Sequence, residues 1–178
     1  MGRGLDENGS VIDCVGEESL LLGEHTFMWI DVTEYSLSSR RSAAQVIGDI
    51  VASPQYSETF NVAGDGKPSQ STVHFNWTLD EITPALFAPC PASTAEAILQ
   101  DWADNQRWTD PDFRQPPEAQ ARVARVREIL RSGDVYLLQN PPPARGNSPA
   151  IYGLGGFHEF IVIDDPSASA YLIVAADD

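Results

Sequence analysis

FHEFIVIDDPSASAYLIVAA, residues 157–176, is the stretch on which the fold turns. Two apolar runs, Phe157–Asp164 and Ala170–Ala176, flank the short turn segment DPSAS. Each run has the length of a strand rather than a helix, and Asp-Pro-Ser between them reads as a turn. The segment is therefore expected to be a hairpin.

Its polar residues invite a catalytic reading that strand geometry opposes. His158 and Glu159 are adjacent, so in a strand they project to opposite faces and cannot share a metal or a proton without a bulge. Asp164 shares the face of His158 but lies about 20 Å away at ~3.3 Å per residue. Asp164 and Asp165 precede Pro166, which is ordinary turn chemistry. The hairpin is expected to be scaffold.

Working outward, DVYLLQ (134–139) reads as a further strand. Before it, EAQARVARVREILRSG (118–133) places Ala119, Val123, Val126 and Leu130 on one helical face, with Gly133 as its stop. PASTAEAILQDWADNQRW (91–108) has an apolar stripe of Ala95, Ile98, Leu99 and Trp102, and Ser93 with Glu96 has capping-box spacing. TFMWIDVTEY (26–35) reads as a strand with Met28, Ile30 and Val32 on one face and Phe27, Trp29, Asp31, Thr33 and Tyr35 on the other. SSRRSAAQVIGDIVAS (38–53) follows as a helix, capped by Ser38 or Ser39. ETFNVAGDGKPSQSTVHFNWTL (58–79) reads as a hairpin whose second strand carries Val73, Phe75, Trp77 and Leu79 on one side. VIDCV (11–15) suits a short strand, residues 1–10 are expected to be partly disordered, and the proline- and glycine-rich 140–156 is an expected loop. The sum is one α+β domain over residues 1–178, a mostly antiparallel sheet of about six or seven strands with three helices packed on one face.

Charge is the strongest global feature: 26 acids stand against 11 bases, a formal net charge of −15. Such a surface repels phosphate backbones and anionic membranes and attracts basic partners. Direct nucleic-acid binding and membrane association are not expected. The longest apolar run, Ala170–Ala176, falls far short of the ~20 residues that span a bilayer. MGRGLDENGS carries no apolar leader, which favours a cytoplasmic protein, and the composition alone suggests a bacterial one.

Catalytic signatures are sparse. Cys14 and Cys90 are too few and too separated for a disulfide framework or a zinc site. The three histidines, His25, His74 and His158, form no HExxH or Cys-His pattern, so no metal or cofactor is expected. GLGG (153–156) leads into a strand, not into the helix N-terminus that a phosphate loop requires. The one acid–base candidate is His74 with Asp31, which requires their strands to lie side by side.

Four arginines, Arg122, Arg125, Arg127 and Arg131, fall within ten residues of one helix. They suit either an acidic partner or the chain's own acids. The N-terminal segment concentrates acids: Asp6, Glu7, Asp13, Glu17, Glu18, Glu24 and Glu34 precede Arg40. These features point to an acidic protein-binding module, an inhibitor or immunity-type protein that neutralises a basic partner such as a nuclease toxin. The alternative is a small-molecule-binding domain or enzyme whose pocket on the sheet uses Asp31 and His74, with Trp29, Phe75 or Trp77 as wall. A third reading makes the chain a subunit of an assembly, docking through the proline loop 141–149.

Overall fold

The computed structural model describes residues 12–23, 28–58, 73–74, 77–104, 114–139 and 156–177. In chain order the elements are β1 (Ile12–Leu21), β2 (Met28–Leu37), α1 (Ala43–Val51), α2 (Pro54–Glu58), β3 (Val73–His74), β4 (Trp77–Thr78), β5 (Phe87–Cys90), α3 (Ala92–Asp104), α4 (Pro117–Ser132), β6 (Asp134–Leu138), β7 (Phe157–Asp164) and β8 (Ser169–Asp177). Six strands form one antiparallel sheet in the order β1-β2-β8-β7-β6-β5, and β3 pairs with β4 separately. The α+β class and the antiparallel sheet are those expected from the sequence.

The hairpin forms as its turn chemistry dictates. Asp164 Oδ1 accepts from the Ser167 amide at 3.4 Å, and Ala168 closes the turn with φ 52°. The Ala168 carbonyl then accepts from the Leu37 amide at 2.8 Å, which pins the end of β2 to the same turn.

The layering departs from the expectation of three helices on one face. β7 sends Phe157, Ile161 and Ile163 to one side and Phe160 and Val162 to the other; β8 divides Leu172 and Val174 from Ile173 and Ala175 in the same way. Strands apolar on both faces need cover on both. Val46, Ile47 and Ile50 of α1, with Tyr56 and Trp77, cover the first side. Leu99 and Trp102 of α3, with Val123, Val126 and Leu130 of α4, cover the second. Burying each such side chain contributes about 1.5–3 kcal/mol, and that gain is available only when both layers are present.

Local details correct several other expectations. Ser42, not Ser38 or Ser39, caps α1, in a capping box with Gln45. Glu96 does not serve Ser93; its carboxylate takes Arg127 and Arg131 of α4 instead. Gly133 ends α4 in extended backbone, so it is not a left-handed stop. A Cβ there would lie 2.6 Å from the Ile163 carbonyl carbon, so close approach to β7 is what requires glycine. The strand expected through Val73–Leu79 is instead two short strands, Val73–His74 against Trp77–Thr78, and Leu79 begins a 3-10 turn. VIDCV is part of a much longer strand, Ile12–Leu21. Residues 1–10, the 59–72 part of the hairpin and the loop 140–155 lie outside the described residues.

Candidate binding face at β1, β2 and α4

β1 and β2 set the site through their register. Glu17 stands opposite Thr33 and Ser19 opposite Asp31; Glu18 stands opposite Val32 and Gly16 opposite Glu34. Directly opposed residues share a face. Val32 packs in the α3–α4 layer and Tyr35 in the α1 layer, so Glu18 and Glu34 face α4 while Glu17 and Asp31 face the α1 side. Acidic side chains therefore occupy both faces of this end of the sheet.

On the α4 side lies a groove of about 650 Å3. Glu18, Glu34 and Glu128 line it, and Glu17, although its strand position faces the other side, borders it at the sheet edge; among the described residues the single base is Arg125. Arg125 pairs with Glu18 at 2.8 Å. Tyr171 donates to Glu34 Oε1 at 3.3 Å, and burial first, then the Glu34 charge, pushes its phenol up. No ion pair joins Glu17, Glu34 or Glu128 to a base among the described residues.

The other arginines of α4 are engaged within the chain. Arg127 Nε donates to Glu96 Oε2 at 3.0 Å and Arg131 Nε to Glu96 Oε1 at 2.9 Å. Arg131 above all, with Arg127, holds the Glu96 carboxyl below the usual carboxylate range. Arg122 donates to the Leu21 carbonyl. The arginine strip thus ties α4 to α3 and to β1.

A hollow of about 300 Å3 at the β1–β2 edge is lined by Glu17, Ser19, Asp31 and Thr33, with Glu18 and Val32 from the other face. Asp31 is raised above its ordinary value, by burial first and by the Glu17 charge, against a lowering bond from Ser19. Its Oδ1 is buried with no partner among the described residues. Next along the same sheet row, past Val174, stands Glu159, 1% exposed. The Tyr56 hydroxyl donates to Glu159, and burial with that charge holds the Tyr56 phenol far above its usual range. Tyr35 Oη lies 3.1 Å from Ser53 Oγ, and burial pushes Tyr35 up to about 12.

Asp13, Glu17, Glu18 and Glu34 of the expected acidic set are placed on β1 and β2, whereas Asp6, Glu7 and Glu24 lie outside the described residues. Asp31 and His74 are not joined by strand pairing: β2 pairs with β1 and β8, and β3 with β4. The side chain of His74 lies outside what is described. His158 and Glu159 do face opposite sides. His158 is lowered by burial, against the charges of Asp177 and Asp101, and Asp177 itself accepts from the Gly156 amide at 2.9 Å. Burial raises both thiols, Cys14 and Cys90, so neither is primed as a thiolate. Among the described residues no three His, Cys, Asp or Glu side chains group as a metal site, and no helix is long and apolar enough to cross a membrane.

Sequence reasoning missed Glu128 and Tyr171 as groove residues. Glu128 sits within the arginine run, three residues after Arg125, a spacing that places both on one helical face. No protein-family model, curated protein or solved structure matches this chain.

Proposed function

We propose that the protein is an acidic docking module that binds a basic protein partner through the face built by β1, β2 and α4. The observation that carries this reading is the groove of about 650 Å3 where four carboxylates surround one guanidinium. A charge set this unbalanced is unfavourable by itself and is relieved by an incoming cationic surface. Glu17, Glu18, Glu34 and Glu128 are the contact residues, with Asp13 further along β1. Arg122, Arg127 and Arg131 brace the face from behind, and Arg125 is the base that a partner's cations compete with.

The sharpest form of the proposal is an inhibitor or immunity-type protein. Its partner would be a nuclease toxin or similar protein whose own active site is built to attract phosphates, so an acidic surface could occupy it. Native mass spectrometry of the protein purified gently from its host tests this. A stoichiometric complex with a basic protein at low salt, lost as salt rises, is the expected result. A bare chain, or a complex indifferent to ionic strength, contradicts it.

One observation favours a second reading. The buried, unpartnered Oδ1 of Asp31 beside the hollow of about 300 Å3 suits a small cationic or hydrogen-bond-donating ligand. A thermal-shift ligand panel on wild type and Asp31→Asn tests it. A ligand that stabilises only the wild type supports this reading, and no response in either removes it.

A further inference from the structure

We infer that the basic partner docks as an extended strand added to the outer edge of β1, through a segment of consecutive Arg and Lys residues. This rests on the docking reading above and specifies how the acidic face is used. β1 is a terminal strand of the sheet, ten residues long, and among the described residues it pairs only with β2. The opposite edge, β5, is four residues long and contains Pro89, which cannot donate to an added strand. An unpaired edge presents amide and carbonyl groups at alternate residues, and strand addition is an established way for them to be used.

The edge is usable over a defined length. The register breaks at Val15 and then runs regularly from Gly16, opposite Glu34, to Leu21, opposite Trp29. Arg122 already takes the Leu21 carbonyl, so the carbonyls open to a ligand are those before Leu21. Val15 and Leu21, 58% and 62% exposed, are the exposed large apolar side chains of the described residues, and both lie on this strand.

Charge then selects the occupant. An added strand sends successive side chains to opposite faces. By register, Glu18 and Glu34, with Glu128 of α4, stand on one face and Glu17 and Asp31 on the other. Because both faces are acidic, successive residues of the ligand should all be basic, whereas one acidic face would select an alternating pattern. A second copy of this chain would set Asp13, Glu17 and Glu18 near identical acids on a molecule of net charge −15. The chain's own first residues bring Asp6 and Glu7 against one arginine, Arg3. Neither complements the edge.

The test uses the full chain and a peptide of about eight residues, the length of a strand, with consecutive Arg and Lys. A second peptide of the same sequence carries N-methyl groups on every internal amide, so that no register offers an amide to the edge. A third carries them on alternate amides only, so that a one-residue shift still presents the free set. Fluorescence anisotropy at low salt reads the affinities. The unmodified and alternately methylated peptides are expected to bind within about threefold of each other, with the fully methylated form weaker by about tenfold or more. If all three bind alike, the docking reading stands and strand addition is overturned. If the alternately methylated peptide is weakened as much as the fully methylated one, strand addition is also overturned, because an edge bonds only one set. If none binds, strand addition and the docking reading fall together.

Discussion

Arg125 of α4 reaches Glu18 of β1 at 2.8 Å, and among the described residues it is the only base lining a groove that also holds Glu17, Glu34 and Glu128. The pair is a brace for the hairpin and also a placeholder for an incoming cation. Its side chains are 61% and 41% exposed, so its contribution to stability is small, below about 1 kcal/mol.

Arg125→Gln therefore separates the two roles. Thermal stability should change little, whereas affinity for the basic peptide should rise about threefold to tenfold because Glu18 is released. Anisotropy and a melting curve read both, and weaker binding would contradict the placeholder role.

Asp31→Asn should stabilise the protein at neutral pH. Burial raises the Asp31 carboxyl in the folded state, so the folded protein is penalised once pH exceeds that raised value. The gain from the amide is thus full above the raised value and absent below the ordinary carboxylate range. A gain of about 1 kcal/mol raises Tm by about 2–4 °C. Melting curves of both proteins across pH should converge on acidification, and a constant offset would contradict the assignment.

Glu96→Gln should act in the opposite sense. Arg131 and Arg127 hold the Glu96 carboxyl below its ordinary value, so its stabilisation is full above the ordinary carboxylate range and is lost as pH falls through the lowered folded value. The variant should melt lower than wild type at neutral pH by about 2–4 °C, and the gap should close in acid. Equal Tm at neutral pH would mean that α3 and α4 are held by their apolar contacts alone.

Gly133→Ala tests the junction of α4 with the sheet. The new methyl would meet the Ile163 carbonyl carbon at 2.6 Å and the Asp164 amide nitrogen at 2.9 Å. Rigid backbone on both sides cannot yield cheaply, so a loss of about 1–3 kcal/mol is expected in denaturant unfolding. An unchanged midpoint would contradict this account of the glycine.

The elements of the sheet and helices were legible because they are written in local periodicity. Ala119, Val123, Val126 and Leu130 line the buried face of α4 as their spacing requires, and the Phe157–Ala176 hairpin closes on its Asp-Pro-Ser turn. The layering was not legible, since apolar runs such as Phe160–Ile163 state that both faces are buried without stating which helix covers which. Nor was the partner of Glu96, because capping-box spacing and a long-range arginine clamp use the same glutamate. At the site, the acids of β1 stood out by charge alone. Adjacent Glu17 and Glu18 must split between faces once they lie in a strand, but the strand was expected to end at Val15. Which helix layer each faces depends on the pairing of Glu17 with Thr33 and of Glu18 with Val32.

The most direct test of the docking face compares two triple variants of equal net charge. One is Glu17→Gln with Glu18→Gln and Glu34→Gln; the other neutralises Asp101, Glu118 and Asp134, exposed acids elsewhere on the chain. Affinity for the basic peptide is measured against salt for both and for wild type. The account predicts that the first variant loses about tenfold or more and much of the salt dependence, while the second stays within about threefold of wild type. Equal losses in the two variants would contradict it, because they would show binding driven by net charge with no face of its own.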